Sequence, residues 1–258
     1  MAVVELTQIQ SLLAALFWPF VRLGACLMVA PVFGAHFVPR RIRLALAGAM
    51  ALLLAPLLPA VSTPLLSSDG VMITAQQLLI GVVLGFVLQM VFDAISLGGQ
   101  LLANGMGLGF AFNLDPLRGV STPALGQLYV LLGTLIFLCL NGHLALLSLL
   151  ADSFATLPVG THGLDTSDFN QIADWGSTLF TGALRIALPG VTALLVVNLA
   201  FGIVSRAAPS LNLFAVGLPV TLVIGLGVVL LGMPSLRSSL GVMLDESFRF
   251  MRTLIGGH

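Results

Sequence analysis

The sequence predicts an all-α, polytopic membrane protein of kinked helical hairpins. Three observations carry that expectation. Of 258 residues, 58% are hydrophobic and 8% are charged, whereas a soluble domain carries about 25% charged residues. The apolar residues gather in runs approaching the ~20 residues that a helix needs to cross a bilayer. The runs are continuous rather than alternating, which favours helices over the two-residue period of barrel strands.

Six segments stand out: about Ser11–Phe33, Leu44–Leu58, Val71–Leu97, Leu125–Leu150, Thr178–Phe201 and Leu211–Met233. Met1–Gln10 contains Glu5 and no basic stretch, so it is not read as a cleavable signal peptide and the first helix itself must direct insertion. The connectors are rich in breakers: "HFVPRRIR", "PLLPAVSTPLLSSDG", "LPVGTHGLDTSDFNQIADWGS" and "SRAAPSLN". The tail from Pro234 to His258 reads as one amphipathic helix. Leu236, Leu240, Met243, Leu244, Phe248, Met251 and Ile255 share its apolar face, and Arg237, Glu246, Arg249 and Arg252 lie largely off it.

Proline interrupts the apolar runs at Pro19, Pro31, Pro56, Pro189 and Pro219. Each removes a helix hydrogen bond and crowds the preceding turn. Such breaks survive in membranes where neighbouring helices re-satisfy the backbone, so the helices are expected to be kinked and packed on protein. Arg40, Arg41 and Arg43 assign the first loop to the cytoplasm. Six full spans then put the Arg-bearing tail outside, in conflict with the same rule.

Formal net charge is zero, which gives no bulk attraction to nucleic acid. Every basic residue is Arg. Cys26 and Cys139 lie in apolar runs, where buried packing is the default. No metal-ligand spacing, phosphate loop, dinucleotide fingerprint or nucleophile elbow occurs, so neither a cofactor nor an enzymatic activity is expected. Asn141 and His143 are read as interhelical hydrogen-bonding groups, and Gly81-x-x-x-Gly85 as a close-approach pair.

Arg22, Asp93 and Arg185 are ionisable residues inside apolar runs, where a central charge costs at least ~2.5 kcal/mol. Together with Arg206 they are expected to make intramembrane or intersubunit charge pairs. The most irregular stretch is Gln100–Gln127, "QLLANGMGLGFAFNLDPLRGVSTPALGQ". Its glycines allow the backbone to leave helical geometry. Its Asp115 and Arg118 can form a latch or a local turn pair.

The residues "LFWPFVRLGACLMVAPVFGAHFVPRRIRLALAGAMALLLAP", "GMGLGFAFNLDP" and "FLCLNGHLALLSLLADSFATLP" resemble the FliR family of the type III secretion export gate. The resemblance covers nearly the whole chain. It implies a FliP-like helical part at about residues 1–175, with a central plug loop at 98–124, fused to a FliQ-like hairpin and tail at 176–258. It implies FliP, FliQ and FlhB as partners, unfolded flagellar subunits as the exported cargo, contact with membrane lipid, and a place in the bacterial inner membrane at the flagellar basal body. On that reading Met106, Leu108, Phe110 and Phe112 form an apolar closure of the pore, sealing by blocking or dewetting it. The alternative is a small-solute secondary transporter with a re-entrant loop and Asp93 as its coupling site. The lack of a clear inverted repeat and the scarcity of intramembrane carboxylates count against it.

Overall fold

The computed structural model describes residues 2–35, 37–59, 63–65, 67–108, 124–161, 163–207 and 213–256, with side chains from residue 13 onward and excluding 213–216. Among the described residues, seven α-helices follow one another: α1 (Ala2–Val29), α2 (Arg40–Leu54), α3 (Ser68–Gly105), α4 (Ala124–Cys139), α5 (Gly142–Thr156), α6 (Thr166–Ala207) and α7 (Leu213–Gly256). A 3-10 turn, Ala55–Leu57, closes α2. No strand occurs among the described residues, and the all-α membrane fold stands.

Among the described residues, three helices are long and apolar enough to cross a membrane: α3, α6 and the Gly217–Gly256 part of α7. A fourth span exists if α4 and α5 count as one. This replaces the six equal segments of the sequence reading, and the orientation conflict built on six spans lapses with it. At 38, 42 and 44 residues and 1.5 Å per residue, the long helices run for roughly 57–66 Å, about twice the ~30 Å hydrocarbon core. Much of their length therefore either tilts strongly or meets something other than lipid tails. The most apolar window of α3 is 67% buried within the chain, against 17% for α6. So α3 is a core helix, while the α6 window presents its side chains outward.

The chain divides into two compact units. The first comprises Met1–Met90, Asn141–Trp175 and Asp245–His258. In it α1 and α2 form an antiparallel hairpin. The Cβ of Ala47 lies 3.9 Å from where a Cβ on Gly24 would sit, and Arg43 reaches Met28 Sδ at 3.9 Å. Pro31 follows the end of α1, and Arg43 ties the turn beyond it by donating to the carbonyls of Ala35 and Val38. Helix α3 crosses α1 at Gly81 and Gly85, as the four-residue spacing foretold. A Cβ at Gly85 would lie 2.8 Å from the Cys26 carbonyl oxygen, and one at Gly81 would strike the carbonyl of Arg22. The two backbones touch at matching i, i+4 positions. Trp18, Ala14 and Ile73 form a buried cluster beside that crossing, and the Trp18 indole N–H donates to Thr74 Oγ1.

The second unit comprises Val91–Leu140 and Gly176–Leu244. Here the adjacent glycines of α3 serve two neighbours. Gly98 meets the Ala183 carbonyl and Ile186 of α6, and Gly99 meets Gly126 and the Leu125 carbonyl of α4. Phe92 and Phe137 pack edge to face at 5.6 Å between ring centres.

Several helix boundaries differ from the sequence reading. The run Leu125–Leu150 is not one helix: α4 ends at Cys139 and α5 begins at Gly142. The breaker is not proline. Asn141, expected to bond between helices, instead takes a left-handed conformation at φ 57°, which Asn tolerates better than most residues. The buried Nδ1 of His143 has no hydrogen-bond partner among the described residues. Pro19, Pro189, Pro219 and Pro234 all lie inside continuous helices, so the tail is the last part of α7 rather than a separate element. Of its expected apolar face, Leu236, Leu240, Met243, Leu244, Met251 and Ile255 are buried and Phe248 is half-buried. Helix α6 begins inside the long acidic connector, at Thr166. Cys26 is buried as expected, but Cys139, the last residue of α4, is exposed.

Candidate closure root and buried arginine

Two places concentrate polar contacts in this apolar chain. The first, in the first unit, is Arg22. Its side chain is wholly buried. Nε donates to Gln77 Oε1 at 2.8 Å, one terminal nitrogen donates to Ser153 O at 2.8 Å and Ser153 Oγ at 3.0 Å, and the other donates to Leu157 O at 2.8 Å. The guanidinium carbon stands 4.2 Å from the centre of the Phe154 ring, which adds a cation–π contact. The acceptors come from α3, α5 and the residue after α5. Ser153 and Leu157 lie at the end of α5, where the dipole favours a cation; Ser153 O also accepts the Leu157 amide at 2.9 Å, so Arg22 is its second donor. The sequence reading expected charge pairing at Arg22. Among the described residues its hydrogen-bond partners are neutral groups.

The second place, in the second unit, is the end of α3. Helix α3 continues to Gly105, so the chain leaves helical geometry at Met106 rather than at residue 98. Gly107 has φ +81°, the left-handed conformation that closes a helix. Gly107 N–H donates to Asn104 O at 3.0 Å, and Leu108 N–H donates to Ala103 O at 3.0 Å. These are the two bonds of a Schellman end with glycine at its left-handed position.

Two more carbonyls at this end would remain bare, and a bare carbonyl in an apolar setting is costly. Side chains reach them. Asn198 of α6 donates from Nδ2 to Gly105 O at 3.1 Å. The Thr221 hydroxyl of α7 lies 3.4 Å from Met106 O and 3.0 Å from Leu218 O. The carbonyls of Ala103, Asn104 and Gly105 thus each accept a hydrogen bond, and Met106 O lies at long reach of the Thr221 hydroxyl. Apolar residues at helical spacing from these donors flank the end. Leu194 meets Gly105, Leu218 approaches Gly107, and Gly225 lies under the Met106 side chain. Met106 is 1% exposed.

The expected site residues fall as follows. Met106 and Leu108 are the turn that leaves α3, with Met106 buried and Leu108 half-buried. Phe110, Phe112, Asp115 and Arg118 lie outside the described residues. Asp93, Arg185 and Arg206 are exposed, Arg206 in the last turn of α6. Sequence reasoning missed Gln77, Ser153, Asn198 and Thr221. Each was visible only as one of several polar residues scattered along a largely apolar helix. Among the described residues, no cluster of metal-ligating side chains occurs.

The fold and these two polar nodes define a polytopic α-helical membrane protein whose longest core helix ends in a deliberately capped turn. Comparison with known proteins makes that class specific. A family described as bacterial export proteins, family 1, matches residues 13–247. Flagellar biosynthetic protein FliR of Escherichia coli K12 is 38% identical over 93% of this chain and 92% of the relative. The protein of that name from Pectobacterium carotovorum is 39% identical over the same shares, and that from Aquifex aeolicus is 29% identical over 95% of each chain. The chain belongs to the bacterial export proteins, family 1, the family of the flagellar biosynthetic protein FliR, and is a membrane component of flagellar protein export.

Proposed function

We propose that this chain is a channel-forming, non-enzymatic subunit of the flagellar type III export gate, passing unfolded flagellar subunits out of the cytoplasm. The near-complete family match carries this reading. We further propose that it works in the inner membrane at the basal body, as part of a hetero-oligomer with FliP and FliQ and beside FlhB. The largely outward-facing apolar window of α6 supports a chain completed by other apolar subunits. On the same reading, residues 1–175 are FliP-like and 176–258 FliQ-like, and Asp93, Arg185 and Arg206 make intramembrane or intersubunit charge pairs.

The segment that follows α3 is the proposed closure, with Met106, Leu108, Phe110 and Phe112 as its apolar side chains and Asp115 and Arg118 as its latch. Its support is the abrupt, fully capped end of α3, which delivers the chain from a buried helix into a glycine-rich apolar stretch. Deleting Met106–Asp115 should leave the gate assembled and make it leak small solutes. An assembled deletion gate with unchanged conductance would remove the closure role. The mass of the complex after gentle detergent extraction tests the hetero-oligomer: a lone chain or a small homo-oligomer would contradict it.

A further inference from the structure

The proposed latch of Asp115 and Arg118 belongs to the closing segment itself, whereas the root of that segment, at the end of α3, has partners on other helices. We propose that Asn198 and Thr221 are positioning residues that fix where the closing segment leaves α3, and that they form a releasable latch on its root. This inference rests on the closure reading above.

The geometry carries it. Asn198 and Thr221 belong to two different helices, 93 and 115 residues away in sequence from the carbonyls they approach. Both are polar residues among apolar ones, and both converge on consecutive carbonyls, Gly105 O and Met106 O. Those carbonyls are the last two before the left-handed residue Gly107. Side chains at helical spacing complete the grip: Leu194 precedes Asn198 by one turn against Gly105, and Gly225 follows Thr221 by one turn under Met106. A Cβ at Gly225 would come within 2.6 Å of Met106 Cε, so the methionine is seated in a notch that glycine leaves open.

The two bonds differ in a way that suits a gate. A hydroxyl has one hydrogen. The Thr221 hydroxyl stands between two acceptors, and Leu218 O at 3.0 Å is nearer than Met106 O at 3.4 Å. The longer distance exceeds the usual range for an O–H···O bond. Thr221 can therefore hand its hydrogen wholly to its own helix when the root moves, leaving no donor unsatisfied. The Asn198 bond at 3.1 Å is the firmer of the two. Neutral side-chain bonds in membrane proteins are individually weak, so the root is held without being locked.

The test uses the assembled gate reconstituted with its partner subunits, reading closed-state leak of a small solute. Five gates are compared with the wild type: the Met106–Asp115 deletion, that deletion carrying Asn198→Leu and Thr221→Val, the Asn198→Leu/Thr221→Val double variant, Thr221→Val alone, and Thr221→Ser. The double variant should leak about tenfold more than the wild type, the size expected from losing two weak hydrogen bonds in a two-state closure. Thr221→Val should leak severalfold more, and Thr221→Ser, which keeps the hydroxyl, should stay sealed. Adding the double substitution to the deletion should add nothing. If the double variant fails to assemble, the contrast between Thr221→Val and Thr221→Ser decides. A leaking deletion beside tight double and Thr221→Val variants would overturn the latch and leave the closure reading intact. A tight deletion would overturn both.

Discussion

The Nε of Arg22 donates to the Oε1 of Gln77 at 2.8 Å, and neither side chain is exposed. The remaining donors of Arg22 go to Ser153 and Leu157 at the end of α5. One planar guanidinium therefore joins α1, α3 and α5, a task that suits its fixed fork and weak hydration better than an ammonium. Gln77→Leu keeps the charge and removes one acceptor. It should cost about 1.5–3 kcal/mol, the range for a hydrogen bond to a charged group. Arg22→Lys should cost at least as much, because the ammonium cannot present the same fork to three separated acceptors. Thermal unfolding in detergent reads both. A Gln77→Leu midpoint equal to wild type would show that the bond carries no net stability.

The crossing of α1 and α3 makes a second, sign-specific expectation. At Gly85 an added Cβ meets the Cys26 carbonyl oxygen at 2.8 Å and the Ala30 amide at 3.0 Å. Both are backbone atoms in a helix and cannot swing away. Gly85→Ala should therefore push the helices apart and destabilise by about 1–3 kcal/mol, as overpacking does. At Gly176, in α6, an added Cβ meets nothing within 4 Å. Gly176→Ala should be neutral or stabilising by up to ~1 kcal/mol through helix propensity. Unfolding midpoints of the two variants should move in opposite directions, or only the first should fall.

How much of this was legible in the sequence depends on which physics sets each feature. Burial follows periodicity, so the tail's apolar face, Leu236 to Ile255, could be read off one dimension. The close approach at Gly81 and Gly85 was also legible, because small residues four apart leave one signature. The break at Asn141 was not. Hydropathy is blind to φ, and the run Leu125–Leu150 is apolar on both sides of the break. The end of α3 was misplaced for the related reason that Gly98 and Gly99 look like breakers. They are instead contact glycines inside a helix, facing α6 and α4. The partners of Arg22, Gly105 and Met106 were invisible, since they come from 55 to 135 residues away. Nothing local distinguishes Asn198 from any other lone polar residue in an apolar helix.

The start of α6 gives an expectation outside the apolar runs. Asp165 precedes the first helical residue, its carbonyl accepts the amide of Asp168 at 3.0 Å, and Asp168 Oδ2 accepts the Asp165 amide at 2.8 Å. The second of these bonds is the reach-back half of a capping box, with an aspartate in place of the usual glutamate. Asp168 is 5% exposed, so the bond is sheltered from competing water. Asp168→Ala should cost about 1 kcal/mol, as loss of a cap does. It should fray the first turn and raise the rate of proteolysis between residues 158 and 166. An unchanged cleavage rate would mean that tertiary packing, not the cap, sets the helix start.

Gly105 and Gly107 sit two residues apart in the same glycine-rich stretch, yet they should answer the same substitution oppositely. Gly107 is held at φ +81°, where an L side chain costs roughly 1–2 kcal/mol. Gly107→Ala should therefore weaken the α3 end by about that much. Gly105 is helical, and a Cβ there meets the terminal methyl of Leu194 at 3.2 Å. That methyl belongs to a flexible side chain and can shift, so Gly105→Ala should lie between neutral and ~1 kcal/mol stabilising. Amide exchange at Leu108 reports the end directly, because its N–H closes the bond to Ala103 O. Exchange there should speed up in Gly107→Ala and stay the same or slow in Gly105→Ala. Equal acceleration in both would mean that the stretch depends on glycine for flexibility in general. Divergence would mean that one glycine is needed for its backbone angle and the other only for the room it leaves to Leu194.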